Sequence, residues 1–302
     1  MTESIQLERG NWSEPNYVRL LDMLKGPPGL AVFDFDNTLI YNDLGEAVMY
    51  YLALQGMIRA DRSEFWNELV RITPLQGDEL DSMRICWQAF AAQEDEAAYL
   101  QFVDVLLQLY ERVYTDQGLA AAYRWTALLF AWHPVNELTK IARHVFAAEQ
   151  EEQPATVRLP SGQTYRVGIR VYPEIHNLIQ VMRQKQWIVR IVTASPRELI
   201  AAVIDHWNLP ADAVLGMHLE RDETGMIQPV VREPLPFQQG KVDLLRTAES
   251  AELSFAAGDS PGDLTLLQTA RTALLIDRDY PEVKKALASD SVLIQRPFLQ
   301  YA

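Results

Sequence analysis

Apolar and polar positions along the chain follow distinct rhythms. Over 13–25 (SEPNYVRLLDMLK), Tyr17, Leu20, Leu21 and Leu24 recur at helical spacing, Ser13 stands where a cap belongs, and Gly26-Pro27-Pro28-Gly29 ends the run. Residues 30–33 (LAVF) are short and wholly apolar, the pattern of a central parallel strand covered on both faces. From about 44 to 150 helical patterns follow one another: LGEAVMYYLALQGM, RSEFWNELVRI, LDSMRICWQAFAA, EAAYLQFVDVLLQLYERVY and LAAAYRWTALLFAW. A polar break at 149–153 precedes alternation over 156–169 (TVRLPSGQTYRVGI), which predicts a hairpin around Pro160-Ser161-Gly162.

Beyond 170 strand and helix alternate. Pro173 opens a helix, 187–192 is an apolar strand, and Ser195-Pro196 carries the cap-and-first-turn signature of a helix over 196–208. A hairpin around Asp222-Glu223-Thr224-Gly225 is predicted over 214–231, then a helix after Gly240, a strand over 253–257, a helix at Pro261, and strands over 273–276 and 292–294. Alternation of this kind predicts an α/β fold, an open parallel sheet with helices on both faces. The helical stretch interrupts the sheet after its first strand. The predicted division is a core of residues 1–40 and 168–302 and an inserted, mainly helical cap of 41–167, placed over the crevice where such sheets bind ligands.

Composition narrows the partners. The 302 residues carry a formal charge of -14, which argues against nucleic acid as the main partner but not against a small phosphorylated one. A single cysteine, Cys86, excludes an intrachain disulfide. The opening MTESIQLERGNW has acids where a secretory signal needs bases, and no window approaches the roughly 18 to 20 apolar residues of a membrane span. The expectation is a soluble, cytoplasmic protein without a membrane partner.

Candidate chemistry sits at the strand ends. The first strand runs into Asp34 and Asp36 (AVFDFDNTLIYND). Two carboxylates so close require a proton or a cation between them. One could attack as a nucleophile while the other moves a proton. Alone, such a pair is also the composition of a solvated turn. Thr193-Ala194-Ser195, Lys241 after Gly240, and Asp259 and Asp263 in GDSPGD each follow a strand or open a helix, so all can meet at one sheet edge. Taken singly, these too have ordinary readings as caps, turn residues or a surface lysine.

In that order the segments FDFDNT, VTAS, GK and GDSPGD resemble the four motifs of the haloacid dehalogenase superfamily, over 30–40 and 170–280. The resemblance implies the superfamily's Rossmann-like sheet, with Asp34 as nucleophile and Asp36 as general acid and base. It implies Thr193 and Lys241 on phosphoryl oxygens, and Mg²⁺ held by Asp34, Asp259 and the main-chain carbonyl of Asp36, with Asp263 in support. Members that cleave carbon–halogen bonds lack an acid at the position of Asp36, so its presence implies phosphate chemistry. The insertion resembles the helical cap of the phosphoserine-phosphatase-like branch. Ala194-Ser195 stands where phosphoserine phosphatases have a glycine-rich turn, and Asn37 where they have serine. DNTLIYNDLGEAVMYYL is more similar to the phosphorylcholine phosphatase family, in which Glu46 would face a quaternary ammonium with Asp43 nearby.

The 41–165 stretch holds 18 acids against 9 Arg and Lys, and the tryptophans Trp66, Trp87, Trp125 and Trp132, which together suit cation recognition. Arg84, Trp87, Trp125 and Trp132 are candidate substrate contacts. The expected function is a Mg²⁺-dependent phosphomonoester hydrolase acting on a small phosphorylated metabolite, phosphocholine or alternatively phosphoserine. Outside enzymes, the alternative is a non-catalytic binding protein of the same fold.

Overall fold

The computed structural model describes residues 5–93, 95–159 and 162–299. In chain order, α1 (Glu14–Lys25) leads to β1 (Leu30–Phe33) and the short β2 (Ile40–Tyr41). Helices α2 (Leu44–Leu54), α3 (Ser63–Ile72), α4 (Glu79–Gln93), α5 (Glu96–Gln117), α6 (Leu119–Phe130) and α7 (Val135–Glu151) follow. Next come β3 (Ala155–Arg158), β4 (Thr164–Val167), β5 (Arg170–Val171), α8 (Pro173–Gln184), β6 (Ile188–Pro196) and α9 (Arg197–Ala201). The last part holds β7 (Val214–Arg221), β8 (Ile227–Arg232), α10 (Gln239–Ala248), β9 (Leu253–Gly258), α11 (Leu264–Thr269), β10 (Thr272–Ile276), α12 (Pro281–Ala286) and β11 (Val292–Gln295).

The main sheet has the order β11-β10-β9-β1-β6-β7-β8. Its pairings are parallel apart from the β7–β8 hairpin. All four residues of β1 are buried because both sheet faces are covered. Ala31 and Phe33 point into one core with Leu20 and Leu24 of α1, Leu178 of α8 and Leu199 of α9. Leu30 and Val32 point into the other with Leu245 of α10, Leu266 and Leu267 of α11 and Val283 of α12. Side chains alternate across a strand, so a wholly apolar four-residue run fits only a position covered on both sides.

The order of the strands decides where a ligand goes. The chain leaves β1 toward β6 and β7 on one side, then returns to build β9, β10 and β11 on the other. Strand order therefore reverses at the carboxyl end of β1, where sheets of this class form their crevice. The β2–β5 pair, with Ile40 opposite Val171, ties the point where the chain leaves the sheet to the point where it comes back. Two residues per strand are too few for a periodicity signal, and the sequence reading lacks this link.

Two expectations change. The helix over 196–208 is instead a continuation of β6 through Pro196, which pairs with Met217, then the short α9 and a single 3₁₀ turn at Ile204–Trp207. Tertiary pairing overrides the Ser-Pro signature. Ser13 precedes α1 but makes no side-chain cap; its N–H donates to Gln295 Oε1 at 3.0 Å. The hairpin expected over 156–169 is β3–β4, and its proposed turn residues Pro160 and Ser161 lie outside the described residues. Among the described residues no helix is long and apolar enough to cross a membrane.

Candidate active site

Asp34 is the first residue past β1, and its N–H donates to Ala257 O at 2.9 Å, which extends the ladder with β9 and fixes the side chain at the reversal point. The chain then turns through Asn37, held at φ 56°, a conformation that asparagine adopts more readily than most residues. Asp34, Asp36, Thr193, Lys241 and Asp259 all line one cavity of about 380 Å³.

Lys241, in the first turn of α10, is the positive centre. Its Nζ donates to Asp34 Oδ1 at 2.8 Å and to Asp263 Oδ1 at 2.6 Å, and its side chain is only 3% exposed. Asp263 is saturated on its other oxygen, where Oδ2 accepts from Asp259 N, Ser260 N and Ser260 Oγ at 2.9–3.1 Å. Gly258 makes this approach feasible, since a Cβ there would lie 2.5 Å from the Cβ of Asp263. Asp259 accepts from Thr38 Oγ1 at 3.1 Å and pairs with Arg278 at 2.9 Å.

One carboxylate oxygen each from Asp34, Asp259 and Asp263 lie within 4.8 Å of one another. Three buried oxygen donors in so small a volume suit a hard divalent ion such as Mg²⁺, which prefers carboxylates and keeps several waters. The carboxylate of Asp36 is outside this group; its expected contribution was a main-chain carbonyl. Asp34 and Asp259 line the cavity while Asp263 is wholly buried behind its wall and held by Lys241 and Ser260, so Asp263 fits a role behind the ion better than on it.

Electrostatics follow from burial. Burial, then repulsion from Asp263, holds the Asp34 carboxyl well above the usual range, and Lys241 offsets this only in part. Burial alone would pull Lys241 down, but Asp263 and Asp34 together raise it. The pair is lopsided because one ammonium serves two carboxylates. The Asp36 carboxyl is also raised, by burial first and then by Asp43.

Asp259 is pushed up to about 6, by burial foremost and then by Asp263. A carboxyl raised by folding stabilises the fold at low pH, and that contribution fades as pH climbs through the folded value. Metal-free protein is therefore expected to lose stability between about pH 4 and the folded value of about 6. Asp259→Asn should lose less over the same interval. Denaturant melts in chelator at stepped pH measure this, and equal slopes for the two proteins would contradict the assignment.

Asp43 and Glu46 also line the cavity. Asp43 caps α2, accepting from Glu46 N at 2.8 Å. Glu46 accepts from Tyr110 OH at 3.2 Å. Glu46 is exposed in the wall of the cavity. Its carboxyl is pushed up to about 7, by burial first and then by Asp43. Tyr50, Tyr110, Tyr114, Tyr123 and Tyr165 line the same cavity, with Tyr50 and Tyr165 stacked at 4.4 Å between centroids.

The tryptophans are elsewhere. Trp125 is buried with its Nε1 donating to Thr73 Oγ1, Trp66 donates to Ala60 O, Trp87 packs on Phe90 and Phe102, and Trp132 is core. Arg84 stacks over Trp66. None of these lines the cavity that holds Asp34.

Two side chains escape the sequence reading, and a third, Ser195, is named there without its partner. Arg278 lies two residues past β10, at the same sheet edge as the other motifs, and its place just beyond an apolar strand is the signal that could have found it. Arg166 reaches the cavity from β4. Ser195, read as a helix cap, donates its hydroxyl to Asp36 Oδ2 at 2.6 Å.

Residues 135–268 match the family described as haloacid dehalogenase-like hydrolase. The match takes in Thr193, Lys241, Asp259 and Asp263 and leaves out the strand that presents Asp34. No curated protein matches the chain by sequence. The fold is similar to a functionally unknown protein from Anaerococcus prevotii DSM 20548, with TM-score 0.78, 19% identity and 98% of each chain covered. It is also similar to a protein of unknown function from Bordetella pertussis Tohama I, with TM-score 0.60, 15% identity, and 91% of this chain and 100% of that one covered. A third is a HAD family hydrolase from Salmonella enterica subsp. enterica serovar Typhi, with TM-score 0.50, 14% identity, and 92% and 76% covered. The family match covers less than half of the chain, and the solved structures, all under 25% identical to it, share its fold.

Proposed function

We propose that this chain is a phosphomonoester hydrolase that forms an aspartyl phosphate on Asp34, with Mg²⁺ as cofactor. Its proposed substrate is a small cationic alcohol phosphate such as phosphocholine. The observation that carries this reading is the contact of Lys241 Nζ with both Asp34 and Asp263, beside Asp259. It sets a nucleophile and a fixed positive charge at one point.

A carboxylate approaching a phosphate dianion meets roughly 4 kcal/mol of repulsion per charge pair at about 4 Å and an effective dielectric near 20. Lys241 offsets that repulsion and stabilises charge on the phosphoryl oxygens, with Thr193 as a neutral donor. Mg²⁺, when bound by Asp34, Asp259 and the Asp36 carbonyl with Asp263 in support, would supply further charge neutralisation. Asp36 hands its proton to the leaving oxygen, then takes one from the water that cleaves the intermediate. We read 41–167 as the unit that selects substrate, since Glu46, Tyr50, Tyr110 and Tyr165 in it line the same cavity as Asp34 and Lys241. We read the setting as cytoplasmic, without a nucleic-acid or membrane partner.

Glu46 and the tyrosines offer an anion and ring faces to an ammonium group, each ring worth about 0.5 to 2 kcal/mol. Glu46→Ala is expected to raise KM for phosphocholine about tenfold with little change in kcat, and to leave KM for 4-nitrophenyl phosphate nearly as it was. Equal effects on both esters would remove the ammonium role. A second reading, an amino-acid phosphate such as phosphoserine, is favoured by Arg166, which lines the cavity together with Glu46 and could meet a carboxylate. Comparison of kcat/KM across amino-alcohol, amino-acid, sugar and nucleotide monophosphates decides between the two.

A further inference from the structure

The carboxyl of Asp36 is gripped from two directions. The N–H of Leu44, first residue of α2, donates to Oδ1 at 2.8 Å. The hydroxyl of Ser195, near the end of β6, donates to Oδ2 at 2.6 Å. An amide N–H can only donate, so Oδ1 stays an acceptor; a hydroxyl can donate or accept. Ser195 can therefore donate to a lone pair of Oδ2 whether or not that oxygen also carries a proton, which leaves the proton free to face the substrate.

Ser195 is itself held in place. Its N–H donates to Thr193 Oγ1 at 3.1 Å, and the next residue, Pro196, is paired with Met217 of β7. On its other side lies Gly45 of α2. A Cβ at position 45 would fall 2.6 Å from Ser195 Oγ and 3.3 Å from its Cβ, so a side chain there would drive the hydroxyl off its station. The start of α2 and the end of β6 thus close on Asp36 together, with a glycine where they touch.

We propose that Ser195 is a positioning residue for proton transfer by Asp36, and that Gly45 is the residue that admits it. The proposal rests on the phosphatase reading above. In the first half-reaction the bond from phosphorus to the alcohol oxygen breaks as a bond from phosphorus to Asp34 forms. The proton on Asp36 Oδ2 goes to the departing alcohol oxygen. In the second half, water oxygen bonds to phosphorus, the bond to Asp34 breaks, and a water proton returns to Asp36. Ser195 neither gains nor loses an atom; its hydroxyl donates to Oδ2 throughout, so the proton on Oδ2 is left to face the departing alcohol oxygen.

Leaving-group dependence tests this, because a strongly basic alkoxide needs the proton and nitrophenolate scarcely does. The value of kcat/KM reports on the first half-reaction alone. Ser195→Ala is expected to lower kcat/KM at least about tenfold on the alkyl phosphate that wild type cleaves best, and less than about threefold on 4-nitrophenyl phosphate. Gly45→Ala, which keeps the hydroxyl but displaces it, should give the same asymmetry and serves if the serine variant does not fold. Equal losses on both esters, or no loss on the alkyl phosphate, would overturn the proposal. If wild type releases phosphate from neither ester in Mg²⁺, the phosphatase reading falls and takes this role with it. If wild type is active and Asp34→Asn is not, that reading stands and the asymmetry alone decides on Ser195.

Discussion

Asp34→Asn is expected to lower phosphate release from every ester by at least about 10⁴-fold, because an amide at that position cannot form the covalent intermediate. The fold should survive. Asp34 is buried, and its charge is opposed by burial and by Asp263 and Asp259. Lys241 keeps Asp263 as a partner at 2.6 Å when Asp34 is neutral. The melting temperature of the variant should therefore be unchanged or higher, a separation of activity from stability typical of residues held for chemistry. Steady-state phosphate release and thermal denaturation on the same preparation check both halves. Residual activity within about a hundredfold of wild type would remove Asp34 as nucleophile.

Lys241→Met is expected to damage both function and fold. Methionine has similar length and fills the space, but it leaves Asp34 and Asp263 without their shared ammonium. Removing one partner of a buried ion pair costs about 3 to 5 kcal/mol, because the remaining charge stays buried and unpaired. Activity should fall by at least about 10²-fold, the order seen when a donor aimed at developing negative charge is removed. The stability loss should be smaller at pH 5 than at pH 7.5, since the stranded carboxyls can take up protons at the lower pH. Added Mg²⁺ should recover part of it by binding the folded state alone. Denaturant titrations at both pH values, with and without Mg²⁺, measure this. A variant as stable as wild type in chelator at neutral pH would mean that Lys241 does not hold the two acids.

Both effects were foreshadowed by short polar segments, and the reason is physical. Leu30 to Phe33 is wholly apolar because the strand is covered on both faces, and a carboxylate directly after such a run is costly unless it does something. The same reasoning made Thr193, Lys241 and Asp259 legible, since each follows a buried strand or opens a helix at one sheet edge. The features that stayed hidden depend on how elements lean together. Ser195 carries the local signature of a cap, yet pairing of Pro196 with Met217 keeps it in the strand and delivers it to Asp36. The tryptophans of the helical stretch looked suited to a cation, but helical spacing gives a face without saying which neighbour that face meets. In the structure they meet other helices, and tyrosines take the cavity wall. Glu46 and Tyr50 are four apart on α2 and so share a side of the helix, but their nearness to Tyr110 and Tyr165 is set by two other elements, α5 and β4.

The central claim is an acyl phosphate on Asp34. Enzyme mixed with excess substrate and Mg²⁺, quenched in acid within the first turnovers and reduced with borohydride, should carry homoserine at residue 34 when its peptides are mapped by mass spectrometry. Omitting Mg²⁺ or substrate should leave aspartate there. Homoserine at position 36 instead, or unmodified Asp34 in a preparation that is visibly releasing phosphate, would contradict the account.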